Sequence, residues 1–204
     1  MLNKKRAAIF HGTSSSPKSN WIPWLKDQLE KAGYDVFVPQ LPDCDRPDWS
    51  KYEAFLQHSG WDFSDSVMIG HSSGSTTMLN LLQSDWCPKI EAAIFVGLFV
   101  NNDKLDEEYP EWYQVGQFDA LFPEAFDWNR VRLRARYRAI IHGDNDPYCA
   151  YGDAVEAARL MEAELITVQD GKHLSEGSGG VSELPWAMEF LRANGIILSE
   201  DYAS

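Results

Sequence analysis

The sequence has little of what would indicate a membrane protein, a disulfide framework or a nucleic-acid binder. No apolar run approaches the roughly 20 residues that a membrane-spanning helix needs. The three cysteines, Cys44, Cys87 and Cys149, are isolated and lack metal-type spacing, which favours a reduced, cytoplasmic setting. The chain has only 18 basic residues against 31 acidic residues. The resulting net charge of −13 argues against nucleic acid and anionic membrane as partners.

Internal repeats and interdomain linkers are also lacking. The 204 residues suit one domain, residues 1–204, with a full core. The basic N-terminus runs directly into an apolar stretch, residues 7–12, that is too short for a signal peptide and is predicted to belong to the first strand. The sequence implies no metal and no organic cofactor.

Apolar runs and amphipathic segments alternate along the chain. We predict strands at 6–10, 34–38, 66–69, 90–97, 136–142 and 164–168. Helices are predicted from 19 or 20 to a stop at 33, and at 49–59, 75–82, 152–163 and 182–193. This alternation implies right-handed crossovers. It therefore predicts an α/β fold, a three-layer α/β/α sandwich around a mostly six-stranded parallel sheet.

The most informative stretch is Gly70-His71-Ser72-Ser73-Gly74, which follows a buried strand and precedes a helix. This strand–turn–helix context is what a nucleophile elbow, Gly-x-Ser-x-Gly, requires. The turn is so tight that a Cβ at Gly70 or Gly74 would clash, and the strained serine would stand clear of the sheet. We predict Ser72 as the nucleophile, with an ordinary Gly/Ser turn as the alternative.

A serine nucleophile needs a base, and the base needs an orienting acid. Of the five histidines, only His173 falls in a loop after the last strand, so it is the predicted base. Asp144 and Asp146 both follow the fifth strand, and Asp146 is favoured because Pro147 constrains the chain after it. The order serine, acid, histidine is that of an α/β-hydrolase. The alternatives are that His173 is a surface-loop histidine and that residues 144–146 form a simple turn.

The predicted oxyanion hole uses two backbone N–H groups. One belongs to Ser73, directly after the nucleophile, and the other is expected from Thr13 in the loop after the first strand. A plain strand-to-loop turn is the alternative for this loop. His11, at the end of the same strand, is a candidate residue of the substrate pocket.

Residues 101–128 break the alternating pattern. They hold eight acidic residues, a single lysine and seven aromatics. One interpretation is a small lid over the elbow that provides an acyl or aryl pocket, with Trp112, Phe118 and Phe122 as candidate lining residues. The other is a surface excursion packed on the core. The excess of acid would disfavour strongly anionic substrates.

These motifs together resemble a known family. In order along residues 7–193 they are His11-Gly12, Trp21, Trp24 and Leu25, Leu41-Pro42, Gly70 to Gly74, Phe126-Asp127-Trp128, Asp146-Pro147 and Lys172-His173. The set is similar to the small serine hydrolases related to retinoblastoma-binding protein 9, a branch of the α/β-hydrolase superfamily. The resemblance implies a compact hydrolase without a large cap domain and a triad of Ser72, Asp146 and His173. Lys172, where such families often have glycine, and the distinctive residues 101–123 depart from the pattern.

We therefore expect a cytoplasmic serine hydrolase that acts through an acyl-enzyme, in the first instance an esterase on a small carboxylic ester. Its expected partner is a small-molecule acyl substrate. Amides, thioesters, short peptides and carbon–carbon bond hydrolysis stay open because the same machinery serves them. The alternative from another class is a protein-binding module on a hydrolase fold with little or no catalytic activity. The sequence identifies no protein partner.

Overall fold

The protein consists of one sheet with helices on both sides; its computed structural model describes residues 4–198. The strands are β1 (Lys5–Phe10), β2 (Tyr34–Phe37), β3 (Val67–His71), β4 (Ile90–Val96), β5 (Ala135–Gly143) and β6 (Glu164–Val168). The helices are α1 (Ile22–Lys31), α2 (Trp49–His58), α3 (Ser73–Gln83), α4 (Asp103–Glu108), α5 (Trp128–Arg134), α6 (Tyr151–Met161) and α7 (Pro185–Ala193). Residues 1–3 and 199–204 of the predicted domain lie outside the described part. Within residues 4–198, no helix has the length and apolar character to cross a membrane.

The six strands form one parallel sheet in the order β2-β1-β3-β4-β5-β6. This confirms the predicted α/β class and the parallel sheet. The strand order reverses next to β1, and in such sheets the crevice at the carboxyl ends of the strands binds ligands. Phe10 pairs with Gly70 across β1 and β3, so the first loop and the elbow leave the sheet side by side.

Helices cover both faces of the sheet, which confirms the three-layer sandwich. Successive strand residues point to opposite faces, so Ala8 and Phe10 belong to one core and Ala7 and Ile9 to the other. Helices α2, α3, α5 and α6 pack on the first face, and α1 and α7 on the second. Strand β3 is buried along its whole length, as a parallel strand covered on both faces should be.

Between β4 and α5 the chain leaves the sheet and forms α4 and a series of turns. Its apolar side chains form a small third core together with Cys149, which lies in the loop between β5 and α6; the core consists of Phe99, Leu105, Tyr113, Phe118 and Cys149. The rings of Phe99 and Phe118 meet edge to face, with their centroids 4.8 Å apart. Helix α4 was not predicted, because a six-residue helix with four acidic side chains has no amphipathic stripe to detect.

Two element boundaries next to the elbow also differ from the prediction. Strand β3 continues to His71 and α3 begins at Ser73, so Ser72 alone makes the turn between them. Hydrophobic periodicity cannot locate such a boundary, because both elements are buried around it. Helix α7 begins at Pro185 rather than Ser182, in keeping with the preference of proline for the first helical turn.

Candidate active site

Ser72 occupies the turn between β3 and α3 in a strained backbone conformation. Its φ is 55° and its ψ is −126°, a combination that residues with a side chain rarely adopt. The crowding predicted around it is present. A Cβ at Gly70 would lie 2.5 Å from the carbonyl oxygen of Gly74, and one at Gly74 would lie 2.3 Å from that of Phe10. Both positions therefore require glycine, and the close packing holds the strained turn in place.

His173 and Asp146 form a buried hydrogen-bonded pair beside the elbow. His173 Nδ1 lies 2.7 Å from Asp146 Oδ2. The other carboxylate oxygen, Oδ1, accepts the backbone N–H groups of Tyr148 at 2.8 Å and Cys149 at 3.1 Å. The two backbone N–H groups hold Oδ1 in place, and this leaves Oδ2 facing the imidazole. Both oxygens of the buried carboxylate therefore have hydrogen-bond donors.

The same contacts control the charge of the acid. Burial by itself raises the pKa of Asp146, but the charge and hydrogen bond of His173 and the N–H of Tyr148 outweigh burial, so the pKa lies below its usual 3.8. Asp146 is therefore an anion at neutral pH. With Nδ1 of His173 held against that anion, Nε2 is the ring nitrogen left to exchange a proton with a substrate or with Ser72.

Asp144, the other candidate for the acid, has a different place. Its Oδ1 accepts the backbone N–H of Asp170 at 2.9 Å. The neighbouring Asn145 Oδ1 accepts the N–H of Lys172, also at 2.9 Å. These two side chains hold the loop after β6 against the loop after β5, whereas Asp146 is the residue that reaches the imidazole.

His71 contributes a contact that sequence reasoning missed. Its Nε2 lies 2.9 Å from the backbone carbonyl oxygen of His173 and donates to it. Burial, with a smaller effect of the His173 charge, lowers the pKa of His71 to about 3, so the imidazole is neutral. From the sequence, the side chain of His71 was expected only to point away from Ser72. No local signal could reveal a contact between residues 102 positions apart.

The two predicted oxyanion donors lie at the elbow. A Cβ at Gly12 would meet the Cβ of Ser72 at 3.0 Å, so the loop after β1 passes directly beside the serine. Thr13 Oγ1 donates a hydrogen bond to Ser73 Oγ at 2.8 Å, which ties this loop to the start of α3. Ser73 is the first residue of α3, where an N–H has no acceptor within the helix. Among the described residues, neither the Thr13 nor the Ser73 N–H has a backbone acceptor.

Two cavities meet at Ser72, and both are lined by Thr13, Ser14, Ser72 and His173. The first, here called the apolar cavity, has a volume of about 270 Å³. Its remaining walls are Phe99, Leu105, Trp112, Phe118, Tyr148 and Cys149. The second, here called the polar groove, has a volume of about 250 Å³. Its remaining walls include Ser15, Ser19, Asn20, His71, Ser175 and Gly177.

Of the predicted pocket residues, Trp112 and Phe118 line the apolar cavity. Phe122 instead packs against Phe99, with ring centroids 5.1 Å apart, and faces a separate cavity of about 500 Å³ beside Trp49. That larger cavity has no histidine among its described lining residues and therefore no acid–imidazole pair, so size alone does not identify the site.

His11, the fourth predicted pocket residue, is fully buried and lines neither cavity among the described residues. Its Nε2 accepts the backbone N–H of Leu41 at 3.0 Å, and its Nδ1 donates to the carbonyl oxygen of Gly12 at 2.8 Å. Burial lowers the pKa of this imidazole. His11 therefore acts as a neutral strut between two loops rather than as a wall of the pocket.

Cys149 raises the question of a metal, because Asp146, Cys149 and His173 offer ligand-type atoms within 4.8 Å of one another. The Cys149 Sγ lies 4.0 Å from His173 Nδ1. Burial raises the pKa of Cys149 well above its usual 9.0, so the thiol stays protonated, whereas a metal binds the thiolate. Nδ1 is also already paired with Asp146. The group fits an acid–imidazole pair beside a neutral thiol better than a metal centre.

Comparison with known proteins agrees with this geometry. A family model described as serine hydrolase matches residues 7–193. The chain belongs to the serine hydrolase family. It is 25% identical over 182 residues to the YdeN protein of Bacillus subtilis (strain 168), a match that covers 87% of this chain and 90% of YdeN. The crystal structure of YdeN matches with a TM-score of 0.80 at 23% identity, over 94% of this chain and 99% of that one.

Other relatives of this serine hydrolase give less direct information. RhEst1, an esterase from Rhodococcus sp. ECU1013, matches with a TM-score of 0.65 at 13% identity, over 96% of this chain and 91% of that one, which shows a shared fold. A sequence match to the small ribosomal subunit biogenesis GTPase RsgA 1 of Listeria monocytogenes serotype 4b (strain F2365) is 30% identical over 166 residues, 73% of this chain and 53% of that protein. This chain lacks G-x-x-x-x-G-K-[ST], by which P-loop proteins hold nucleotide phosphates. The resemblance to the group related to retinoblastoma-binding protein 9 stays a prediction.

Proposed function

We propose that this member of the serine hydrolase family cleaves small carboxylic esters through an acyl-enzyme formed on Ser72. The observation that carries the proposal is that His173, hydrogen-bonded to the buried Asp146 at 2.7 Å, lines the same two cavities as the strained Ser72. The esterase RhEst1 has the same fold and supports an ester as the substrate.

In the first half of the proposed reaction, His173 Nε2 takes the proton of Ser72 Oγ as that oxygen attacks the carbonyl carbon of the ester. The former carbonyl oxygen, now negatively charged, accepts hydrogen bonds from the N–H groups of Ser73 and Thr13. The N-terminus of α3 stabilises its negative charge further. The bond from carbon to the leaving oxygen then breaks, and His173 gives its proton to that oxygen. An alcohol departs and the acyl group remains on Ser72.

In the second half, water takes the place of the alcohol. His173 removes a proton from the water as its oxygen attacks the acyl carbon. The carboxylic acid leaves and Ser72 recovers its proton. Throughout, the Asp146 anion keeps Nδ1 protonated and stabilises the imidazolium that forms twice in each cycle.

Labelling with a fluorophosphonate tests the proposal, because this reagent reacts with activated serines whatever the natural substrate. We expect wild-type protein to gain one adduct by intact mass, Ser72→Ala none, and His173→Ala a strongly reduced amount. Ser59→Ala, at the end of α2 and outside the lining of both cavities, serves as the matched control and should label fully. Circular dichroism of each variant verifies that it is folded.

A protein-binding module without catalytic activity makes the opposite prediction. Folded wild-type protein would then gain no adduct and turn over no ester. An adduct that survives in Ser72→Ala would assign the nucleophile to another residue.

A further inference from the structure

We infer that the substrate has two unlike halves, an ester of a small apolar acid with a neutral alcohol that carries additional hydroxyl groups. This inference rests on the proposed function and extends it from a reaction to a class of substrate. It follows from the chemical contrast between the two cavities that share Ser72, Thr13 and His173.

The apolar cavity is suited to the acyl chain. Phe99 and Phe118 are buried members of the third core, and they present fixed aromatic surfaces to the cavity. Trp112 forms an outer wall and contacts the ring of Tyr148 edge to face, with centroids 5.3 Å apart. The volume of about 270 Å³ lies at the lower end of the roughly 300–1,000 Å³ typical of ligand pockets, which favours a short chain or a single ring.

The polar groove offers hydroxyl and amide groups instead of rings. Besides the shared residues, it is lined by Ser15, Ser19, Asn20 and Ser175. The Oγ of Ser15 is buried and has no hydrogen-bond partner among the described residues. A buried hydroxyl without a partner is costly, so rotation of the Ser15 side chain toward a polar group bound in the groove would give this hydroxyl a partner.

Among the described residues, no permanently charged side chain lines either cavity to pair with an ionic substrate. No Lys, Arg, Asp or Glu occurs among the described residues that line them. His71, which faces the groove, is neutral because its pKa lies near 3. A phosphate or carboxylate in the groove would lose its hydration without gaining a counter-ion, so a neutral polyhydroxy group is preferred.

The chemistry of deacylation decides which half lies in which cavity. After the alcohol leaves, a water molecule must occupy its place beside His173. A wall of hydroxyl groups holds water by hydrogen bonds, whereas a wall of aromatic rings does not. The leaving alcohol therefore belongs in the polar groove, and the acyl chain stays in the apolar cavity until hydrolysis.

Three matched esters test this assignment. Glyceryl hexanoate carries the inferred arrangement, propyl hexanoate lacks the two extra hydroxyl groups, and hexyl glycerate exchanges the halves. Each kcat/KM is divided by the rate constant of hydroxide-catalysed hydrolysis to remove differences in intrinsic reactivity. Two new hydrogen bonds of about 0.7 kcal/mol each correspond to about a tenfold preference for glyceryl hexanoate over either alternative.

Variants in the polar groove and in the apolar cavity should separate the preference for the alcohol from the preference for the acyl chain. Ser15→Ala, at a residue that lines the polar groove and not the apolar cavity, should reduce the advantage of glyceryl over propyl hexanoate to about threefold, because one of the two hydrogen bonds is lost. It should leave the ratio of hexanoyl to acetyl esters unchanged. Trp112→Ala, a half-exposed wall of the other cavity, should lower the hexanoyl-to-acetyl ratio and leave the glyceryl-to-propyl ratio unchanged.

Fluorophosphonate labelling of the same preparations keeps the two proposals distinguishable. If Ser72 is labelled but propyl hexanoate or hexyl glycerate is preferred, or no ester is cleaved, the inferred substrate class is wrong while the activated serine stands. If folded protein is neither labelled nor active, the proposed function fails and the inference fails with it.

Discussion

The imidazole of His71 donates a hydrogen bond of 2.9 Å to the backbone carbonyl oxygen of His173. This bond connects the residue before the proposed nucleophile to the residue proposed as its base. The two rings also touch, with centroids 5.0 Å apart. The elbow therefore carries its own support for the loop of the base, in addition to the hydrogen bond from Asp146.

The first prediction concerns His71 as a positioning residue. His71→Ala leaves the buried carbonyl of His173 without its donor, which should cost about 1–3 kcal/mol of unfolding free energy and lower kcat more than it raises KM. His71→Gln, whose amide nitrogen can occupy the position of Nε2, should recover most of both losses. Urea unfolding and ester kinetics measure the two effects. Equal kcat values for His71→Ala and wild type would exclude a positioning role.

The second prediction concerns stability against pH. His71 binds a proton near pH 6.5 when unfolded but only near pH 3 when folded, so between these values the unfolded chain binds more protons. The contribution is fully present above pH 6.5 and is lost as the pH falls below it, by about 3 kcal/mol at pH 4.5. Urea unfolding of wild type and His71→Gln at pH 7 and pH 4.5 measures this loss.

His71→Gln should lose less stability over that interval than wild type. The other buried histidines, His11, His142 and His173, are common to both proteins, so the effects that the two proteins share cancel in the difference. Equal losses in the two proteins would show that protonation of His71 is not what weakens the fold in acid.

The third prediction distinguishes the two aspartates after β5. Asp146→Asn should lower kcat by roughly 10⁴-fold because the amide can stabilise neither the correct imidazole tautomer nor its cation. Asp144→Asn keeps an oxygen that can accept the N–H of Asp170 and should change kcat by less than about threefold. Steady-state kinetics on the two folded variants decide between them. A larger loss in Asp144→Asn would move the role of the acid to that residue.

The fourth prediction concerns the glycines of the elbow. Gly74→Ala puts a Cβ 2.3 Å from a backbone carbonyl oxygen, so it should cost more than about 4 kcal/mol or prevent folding. Gly152→Ala, in α6 with open space around its Cβ position, should instead stabilise the protein by up to about 1 kcal/mol. Soluble yield and the midpoint of urea unfolding measure both. A Gly74→Ala protein as stable as wild type would mean that the turn is not tightly packed.

The sequence predicted the fold well because its signals are local. Six apolar runs separated by amphipathic segments are sufficient to imply a parallel sheet covered on both faces, and the structure has that sheet. Helix α4 escaped prediction because a short acidic helix held by its contacts to a third core has no periodic pattern. Its formation depends on tertiary packing, which sequence patterns do not record.

The sequence signals for the candidate site were the positions of residues after strand ends and the order serine, acid, histidine along the chain. Ser72, Asp146 and His173 follow three different strands; in the structure Ser72 and His173 line one cavity, and Asp146 is hydrogen-bonded to His173. The hydrogen bond from His71 to the backbone carbonyl oxygen of His173 was not predicted. His11 was predicted to line the pocket because it lies at a strand end. In the structure, its hydrogen bond to Leu41 holds it in the interior. Side-chain direction in loops depends on such partners, and these lie far away in sequence.

The most direct test of an acyl-enzyme on Ser72 is rapid-quench intact mass spectrometry during turnover of p-nitrophenyl hexanoate. An acyl-enzyme on Ser72 predicts a species heavier by one hexanoyl group. This species forms with the burst of nitrophenol, maps to the peptide containing Ser72 and decays at the rate of turnover. In His173→Ala the species should form slowly or not at all. Turnover without such a species, or an acyl group found on Cys149 instead, would contradict an acyl-enzyme on Ser72.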